Sequence, residues 1–232
     1  MQLANGCGSG VLFSFGAGSG RMMIALPFFI VGSVIGSLIL PWALSAGSFD
    51  QYIIGKDLST GWRAIFNIML LGLAASSFYI WGKAQGQTIS KGLITGTLII
   101  ALLCVSIFIL SGHPWGITFG FTLWGAKLFN SLGVPISEFT FWTWSGPGKA
   151  LKESVLANTS SVMDVGMIIG AGIVASVSGQ LKKTFWPAQG QLLAAAFGGL
   201  LMGIGARLAF GCNIGAFLAG TASGSLHGWI WF

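Results

Sequence analysis

Met22-Met-Ile-Ala-Leu-Pro-Phe-Phe-Ile-Val-Gly-Ser-Val-Ile-Gly-Ser-Leu-Ile-Leu-Pro-Trp-Ala-Leu44 is a run of twenty-three residues without a charge. As a helix it reaches about 34 Å, enough to cross a hydrocarbon core of about 30 Å. Pro27 and Pro41 sit near its ends. Four further runs at 62–82, 93–111, 160–178 and 191–209 are long and apolar with at most one charge each, so five membrane spans are expected. The chain is 54% hydrophobic and 7% charged, where a soluble domain carries about 25% charged residues. Eleven Lys and Arg and five Asp and Glu cannot cover a 232-residue globule in water. The solvent must be lipid, and the expected fold is an all-α integral membrane protein, one transmembrane domain over 1–232. The net charge of +6 would suggest nucleic acid in a soluble protein. Here the basic residues are scattered at loop ends, so they read as topology determinants and no nucleic-acid partner is expected.

Three segments, 3–20, 112–132 and 211–231, are apolar and aromatic but broken by glycine or proline. Non-helical backbone survives at membrane depth only where protein or a water-filled cavity satisfies its polar groups. These segments are therefore expected to be re-entrant, built of short half-helices; the alternative for 112–132 is a sixth full span. With none of the three crossing, Arg21, Lys83, Lys91, Lys182 and Lys183 fall on one side. The other side mixes Lys56, Arg63, Lys149 and Lys152 with Asp50, Asp57, Glu138 and Glu153. The positive-inside rule places the purely basic side in the cytoplasm. The stretch 45–61 reads as an exposed loop. Gly32/Gly36, Gly92/Gly96, Gly166/Gly170 and Gly199/Gly203 are small-xxx-small pairs, which in lipid mark close helix packing.

One motif occurs twice. Leu3-Ala4-Asn5-Gly6-Cys7-Gly8-Ser9-Gly10 and Leu208-Ala209-Phe210-Gly211-Cys212-Asn213-Ile214-Gly215 share L-A-x-G-C-x-x-G at a spacing of 205 residues. Such a repeat in a membrane chain suggests two related half-sites meeting at one pathway. Gly6 and Gly10 flank Cys7, and Gly211 and Gly215 flank Cys212, leaving backbone N–H groups free of side-chain obstruction. A half-helix starting there would add partial positive charge suited to an anion. A thiol adds a weak, polarizable donor. Together with Asn5 and Asn213, these groups suit a soft, sulfur-containing anion. The rival reading is tight helix packing with incidental cysteines. Cys104, inside a plain apolar span, reads as a packing residue.

Arg207 precedes the second motif; a cation this close to apolar sequence is a functional candidate, with snorkelling to the interface as the alternative. Lys127 is a weaker candidate of the same kind. Asp164, early in the fourth span, reads as a charge at the helix N-terminus, ahead of a proton carrier or a partner for Arg207. His113, Trp115 and His227 lie in glycine- and tryptophan-rich surroundings and are candidates for a supporting shell, with interfacial hydrogen bonding as the default. Two histidines and three cysteines without CxxC spacing do not make a metal site, so no metal and no cofactor are expected. No nucleophile elbow, P-loop or HExxH motif is present, and no enzymatic role is expected.

The chain resembles the YeeE/YedE family of membrane proteins. The resemblance rests on the 3–10 motif, on Ser111-Gly-His-Pro-Trp-Gly-Ile-Thr118 with Trp124-Gly-Ala-Lys127, and above all on Gly198-Gly-Leu-Leu-Met-Gly-Ile-Gly-Ala-Arg-Leu-Ala-Phe-Gly-Cys-Asn-Ile-Gly-Ala216 with Ser225-Leu-His-Gly-Trp229. It implies an inner-membrane permease for sulfur-containing ions, thiosulfate above all. It further implies inverted repeats with paired re-entrant loops around a central constriction, and motif cysteines, here Cys7 and Cys212, that meet the passing anion. Some relatives work beside a small cytoplasmic sulfur-carrier protein, which makes one a conceivable partner. Family members carry a further N-terminal part with another cysteine motif, so the chain is expected to be truncated relative to them, and Cys104 does not replace that cysteine. Two other classes stay open: a membrane thiol enzyme or sulfurtransferase carrying persulfide sulfur, and a structural scaffold.

Overall fold

The computed structural model describes residues 2–47, 52–57, 59–181 and 186–231. Asp50, Lys182 and Lys183, part of the sidedness argument, lie outside the described residues. Eleven α-helices follow in order among the described residues: α1 Gly8–Gly16, α2 Gly20–Ser45, α3 Thr60–Ala84, α4 Lys91–Ser111, α5 Thr118–Ser131, α6 Thr140–Thr143, α7 Ser145–Lys152, α8 Thr159–Val177, α9 Gln189–Leu208, α10 Ala219–Ala222 and α11 Leu226–Ile230. Short 3-10 turns occupy Ile136–Glu138 and Val155–Ala157, and a π-helix covers Asn213–Leu218. Five helices are long and apolar enough to cross a membrane, and each covers one of the expected runs, the fifth extending to Ala222. The chain is thus an all-α, multi-pass membrane protein.

The three broken segments form only short helices. α1 has 9 residues and α5 has 14, about 14 and 21 Å long, against a core of about 30 Å. The last segment is divided among the π-helix, α10 and α11. α5 alone therefore does not make a sixth crossing.

The helices belong to two compact units. The first, Met1–Phe49 with Gly116–Gly215, contains α1, α2 and α5 to α9. Its axis is the pair α2 and α9, which run parallel: Gly199 lies on Ala25, Gly203 on Phe29 and Ser33, and Gly36 on Ile204 and Arg207. A Cβ on Gly32 would strike the Leu200 carbonyl, and one on Gly203 the Phe29 carbonyl. Glycine at these positions lets the backbones touch, the mode of association that lipid favours. Two of the four small-xxx-small pairs therefore pack as expected. The other two differ: a Cβ on Gly92, Gly96, Gly166 or Gly170 would meet nothing within 4 Å. α4 carries no buried residue, and the Gly166 and Gly170 face of α8 is open. The helix α2 continues through Pro27 and Pro41, as membrane helices do where neighbours re-satisfy the freed carbonyls.

The core of this unit joins Val34 and Leu40 of α2, Leu123 and Ala126 of α5, Ile136, Phe141 and Trp142, and Ala150 of α7. Phe29 and Phe121 meet edge to face at 4.8 Å. On the far side, α1 packs on α8: a Cβ on Gly16 would strike the Ile168 carbonyl.

The second unit, Asp50–Trp115 with Ala216–Phe232, contains α3, α4, α10 and α11. The stretch 45–61, expected to be an exposed loop, is pinned in part. Ile54 N donates to Gly224 O at 2.8 Å, Leu226 N to Tyr52 O at 2.9 Å, and Asn67 Nδ2 to Thr221 O at 2.9 Å. Its backbone pairs with the turn before α11, and a charged surface composition cannot reveal such a pairing.

Candidate functional site

The two motif copies adopt the same backbone turn. Asn5 has φ +59° and Phe210 φ +57°, and no other non-glycine residue among those described has positive φ. Both are the variable residue of L-A-x-G-C. In each copy that residue's N–H bonds three residues back, Asn5 to Gln2 O at 3.1 Å and Phe210 to Arg207 O at 3.3 Å. Asparagine accepts the left-handed region readily. A phenylalanine there costs about 1–2 kcal/mol, so the surrounding structure holds Phe210 against its preference. In the second copy the turn closes α9, with Gly211 N donating to Ala206 O at 2.9 Å. In the first copy, Arg21 Nη2 donates to Leu3 O at 2.7 Å and fixes the turn. Arg21 reads in the sequence only as a topology charge.

The turn reverses the chain so that the cysteine stands at the start of the next helix. Cys7 is the N-cap of α1, in extended conformation, with its Sγ 3.2 Å from Ser9 Oγ. Cys212 directly precedes the π-helix, and the N–H groups of Ile214 and Gly215 donate to its sulfur. The structure brings the two together, although they lie 205 positions apart in the sequence. Cys212 is 2% exposed and stands within electrostatic reach of both Cys7 and Asp164. Gly8 makes this approach possible: a Cβ there would lie 3.4 Å from Cys212 Cβ and 3.5 Å from Phe29 Cζ. The flanking-glycine logic of the motif does not single out Gly8. A Cβ on Gly10 would lie 3.6 Å from Cys7 Sγ. A Cβ on Gly6 would meet only ordinary contacts from 3.8 Å, and one on Gly215 none within 4 Å. Asn5 and Asn213 are exposed.

Asp164 departs from its sequence reading as a helix-end charge. It is the sixth residue of α8, past the first turn, and Asn158 already caps that helix by accepting from Ser161 N at 3.1 Å. Asp164 is 0% exposed, and neither carboxylate oxygen has a hydrogen-bond partner among the described residues. Gly120 of α5 makes room for it, since a Cβ there would collide with Oδ2. No ion pair joins it to Arg207; among the described residues the one ion pair is Lys149–Glu153 at 3.7 Å.

Arg207 does not reach a carboxylate. Its guanidinium lies 4.7 Å from the Phe141 ring centroid and 5.9 Å from that of Phe119. Cations favour such faces because of the ring quadrupole. It lines an open cavity of about 460 Å³ with Leu40, Phe119, Phe141, Asn158 and Phe210, and Lys149 and Glu153 also border it. The cavity therefore has a cation, aromatic walls and one end on the second motif turn. Lys127 serves a structural purpose instead. Its Nζ donates to Leu151 O at 2.7 Å and Glu153 O at 2.6 Å, holding the carbonyl end of α7.

His113, Trp115, His227 and Cys104 belong to the second unit. His113 is exposed, with Nδ1 3.1 Å from its neighbour's carbonyl Pro114 O. His227 faces Trp231 at 6.0 Å. Cys104 is half-buried within α4.

The family model described as sulphur transport matches residues 1–232. The chain belongs to that family. It is 30% identical to the thiosulfate transporter TsuA of Spirochaeta thermophila over 99% of the chain and 69% of that relative. It is 31% identical to the probable transporter YedE of Escherichia coli K12 over 59% of the chain and 33% of YedE. The YedE of Salmonella typhimurium is 30% identical over 55% of the chain and 31% of its own length. Family and relatives alike are named for transport and not for an enzymatic reaction.

Proposed function

We propose that the chain is a cytoplasmic-membrane permease that takes up thiosulfate, passing it between Cys7 and Cys212. The observation that carries this reading is the convergence of the two motif turns on one pair of thiols. α1 and the 213–218 helix act as two re-entrant arms, each presenting a cysteine and backbone N–H groups at its start. The helix N-terminus favours the anion's charge, while the thiols offer weak donors to its terminal sulfur. Weak contacts at two adjacent places suit conduction, because the ion must leave as readily as it enters. The Arg207 cavity acts as the antechamber: the guanidinium draws the dianion in, and the aromatic walls keep the cation from being fully hydrated.

Uptake of radiolabelled thiosulfate into proteoliposomes or into cells expressing the chain tests the reading, with sulfate as the comparison. Uptake saturating with thiosulfate and little affected by sulfate is expected. Arg207→Gln is expected to raise the half-saturating concentration about tenfold, the equivalent of about 1.4 kcal/mol, with less effect on the maximal rate. An unchanged half-saturating concentration removes Arg207 from the path. A stable persulfide on Cys7 or Cys212 after exposure to thiosulfate, with no flux, contradicts transport by transient contacts.

A further inference from the structure

Asp164 has no place in the pathway as described, yet it is a costly group to enclose. It sits in a membrane-spanning helix, 0% exposed, with both carboxylate oxygens unpartnered among the described residues. An ionised carboxylate moved from water into such a setting costs several kcal/mol even after relaxation. Intramembrane carboxylates retained at that cost commonly serve proton movement. Among the described residues no hydrogen bond or ion pair compensates it. The titratable group near it from the turn after α9 is Cys212, which stands within electrostatic reach of both Asp164 and Cys7, the residue before α1. The turn Val155–Ala157 contributes none. The ionisable residue of α5, Lys127, is committed to the carbonyls of Leu151 and Glu153. Arg207 rests on the Phe119 and Phe141 rings. A Cβ on Gly120 would collide with the carboxylate, so the fold keeps a place for Asp164 where any larger residue would displace it.

We propose that Asp164 is the protonation site that couples passage of the sulfur anion to a proton, making the chain a proton–anion symporter. The proposal rests on the reading of Cys7 and Cys212 as the anion contact. When the site opens to water, the carboxyl is hydrated and ionises, and its charge opposes the anion. Taking up a proton removes that repulsion and supplies an O–H donor beside Cys212. The closed, occupied state therefore holds the anion together with the proton, and both leave on the other side. No bond other than O–H is made or broken.

The test uses the chain in proteoliposomes carrying a lumenal pH dye, with labelled thiosulfate outside. An inward proton gradient is expected to raise steady-state accumulation about tenfold per pH unit for each coupled proton. Thiosulfate added without a gradient is expected to acidify the lumen. Asp164→Asn, fixed in the neutral shape, is expected to keep downhill thiosulfate exchange while losing gradient-driven accumulation. Wild-type flux that ignores the gradient and moves no proton overturns the coupling and leaves the permease reading intact. Gradient-driven accumulation by a folded Asp164→Asn chain overturns the assignment to Asp164. No wild-type thiosulfate flux at all overturns both. Should the variant not fold, the wild-type dye signal alone decides whether a proton accompanies the anion.

Discussion

Cys212→Ala is expected to reduce thiosulfate uptake at least about tenfold, corresponding to about 1.4 kcal/mol added to the barrier. The thiol is 2% exposed and receives the Ile214 and Gly215 N–H groups, so it stands fixed where α1 begins. Removing it deletes one of two adjacent contacts to the ion and leaves two backbone donors aimed at empty space. Cys7→Ala is expected to lose a similar factor. The double variant is expected to lose little more than either single one, because groups that serve one ion in one place are not independent. Cys104→Ala, altering a thiol of the second unit, is expected to leave uptake unchanged. Labelled-thiosulfate uptake at matched expression reads all four. Normal uptake by the double variant contradicts the pathway outright.

The second large effect is on stability. Gly203→Leu places a side chain where even a Cβ would strike the Phe29 carbonyl and come within 2.7 Å of Ser33 N. The α2–α9 pair cannot accept this without separating, and overpacking of a close-packed contact costs about 3 kcal/mol or more. For a chain of this size that corresponds to a fall of about 6–12 °C in the unfolding midpoint. Because α9 ends in the turn that presents Cys212, the variant is also expected to lose uptake. Gly170→Leu, in open space on α8, is the matched comparison and is expected to move the midpoint by no more than a degree or two. Thermal unfolding of the two purified variants in detergent checks this, and equal midpoints remove the close backbone contact from the account.

Much of this molecule is readable from residue types because the bilayer imposes coarse demands. A span needs about 20 apolar residues, and the uncharged 22–44 run meets that demand by inspection. The same holds for the breaks: glycines interrupt 3–20 and 211–231, and the helices there are short. The repeat makes Cys7 and Cys212 legible as a pair before any helix is placed. What stays hidden depends on how helices dock. Gly8, at a variable position of the motif, draws no notice until Cys212 is seen against it. Asp164 reads as a helix-end charge, because only the approach of Gly120 from α5 shows that it is enclosed. Lys127 reads as a possible pathway cation, yet it finds carbonyls at the end of α7 that no spacing rule connects to it. The matched left-handed conformation at Asn5 and Phe210 is invisible in composition, since asparagine and phenylalanine share no chemistry. Only the shared φ reveals that the two copies are one turn used twice.

The most direct test of the central claim is whether Cys7 and Cys212 face one site that the anion occupies. In a Cys104→Ala chain embedded in vesicles, a short bifunctional thiosulfonate reagent can be followed by intact mass spectrometry, with thiosulfate or sulfate present. The expected result is one reagent bridging both thiols within a single chain, with the bridging slowed by thiosulfate and unaffected by sulfate. Two separate reagents per chain, or bridging indifferent to thiosulfate, would contradict a shared anion contact at the paired motif cysteines.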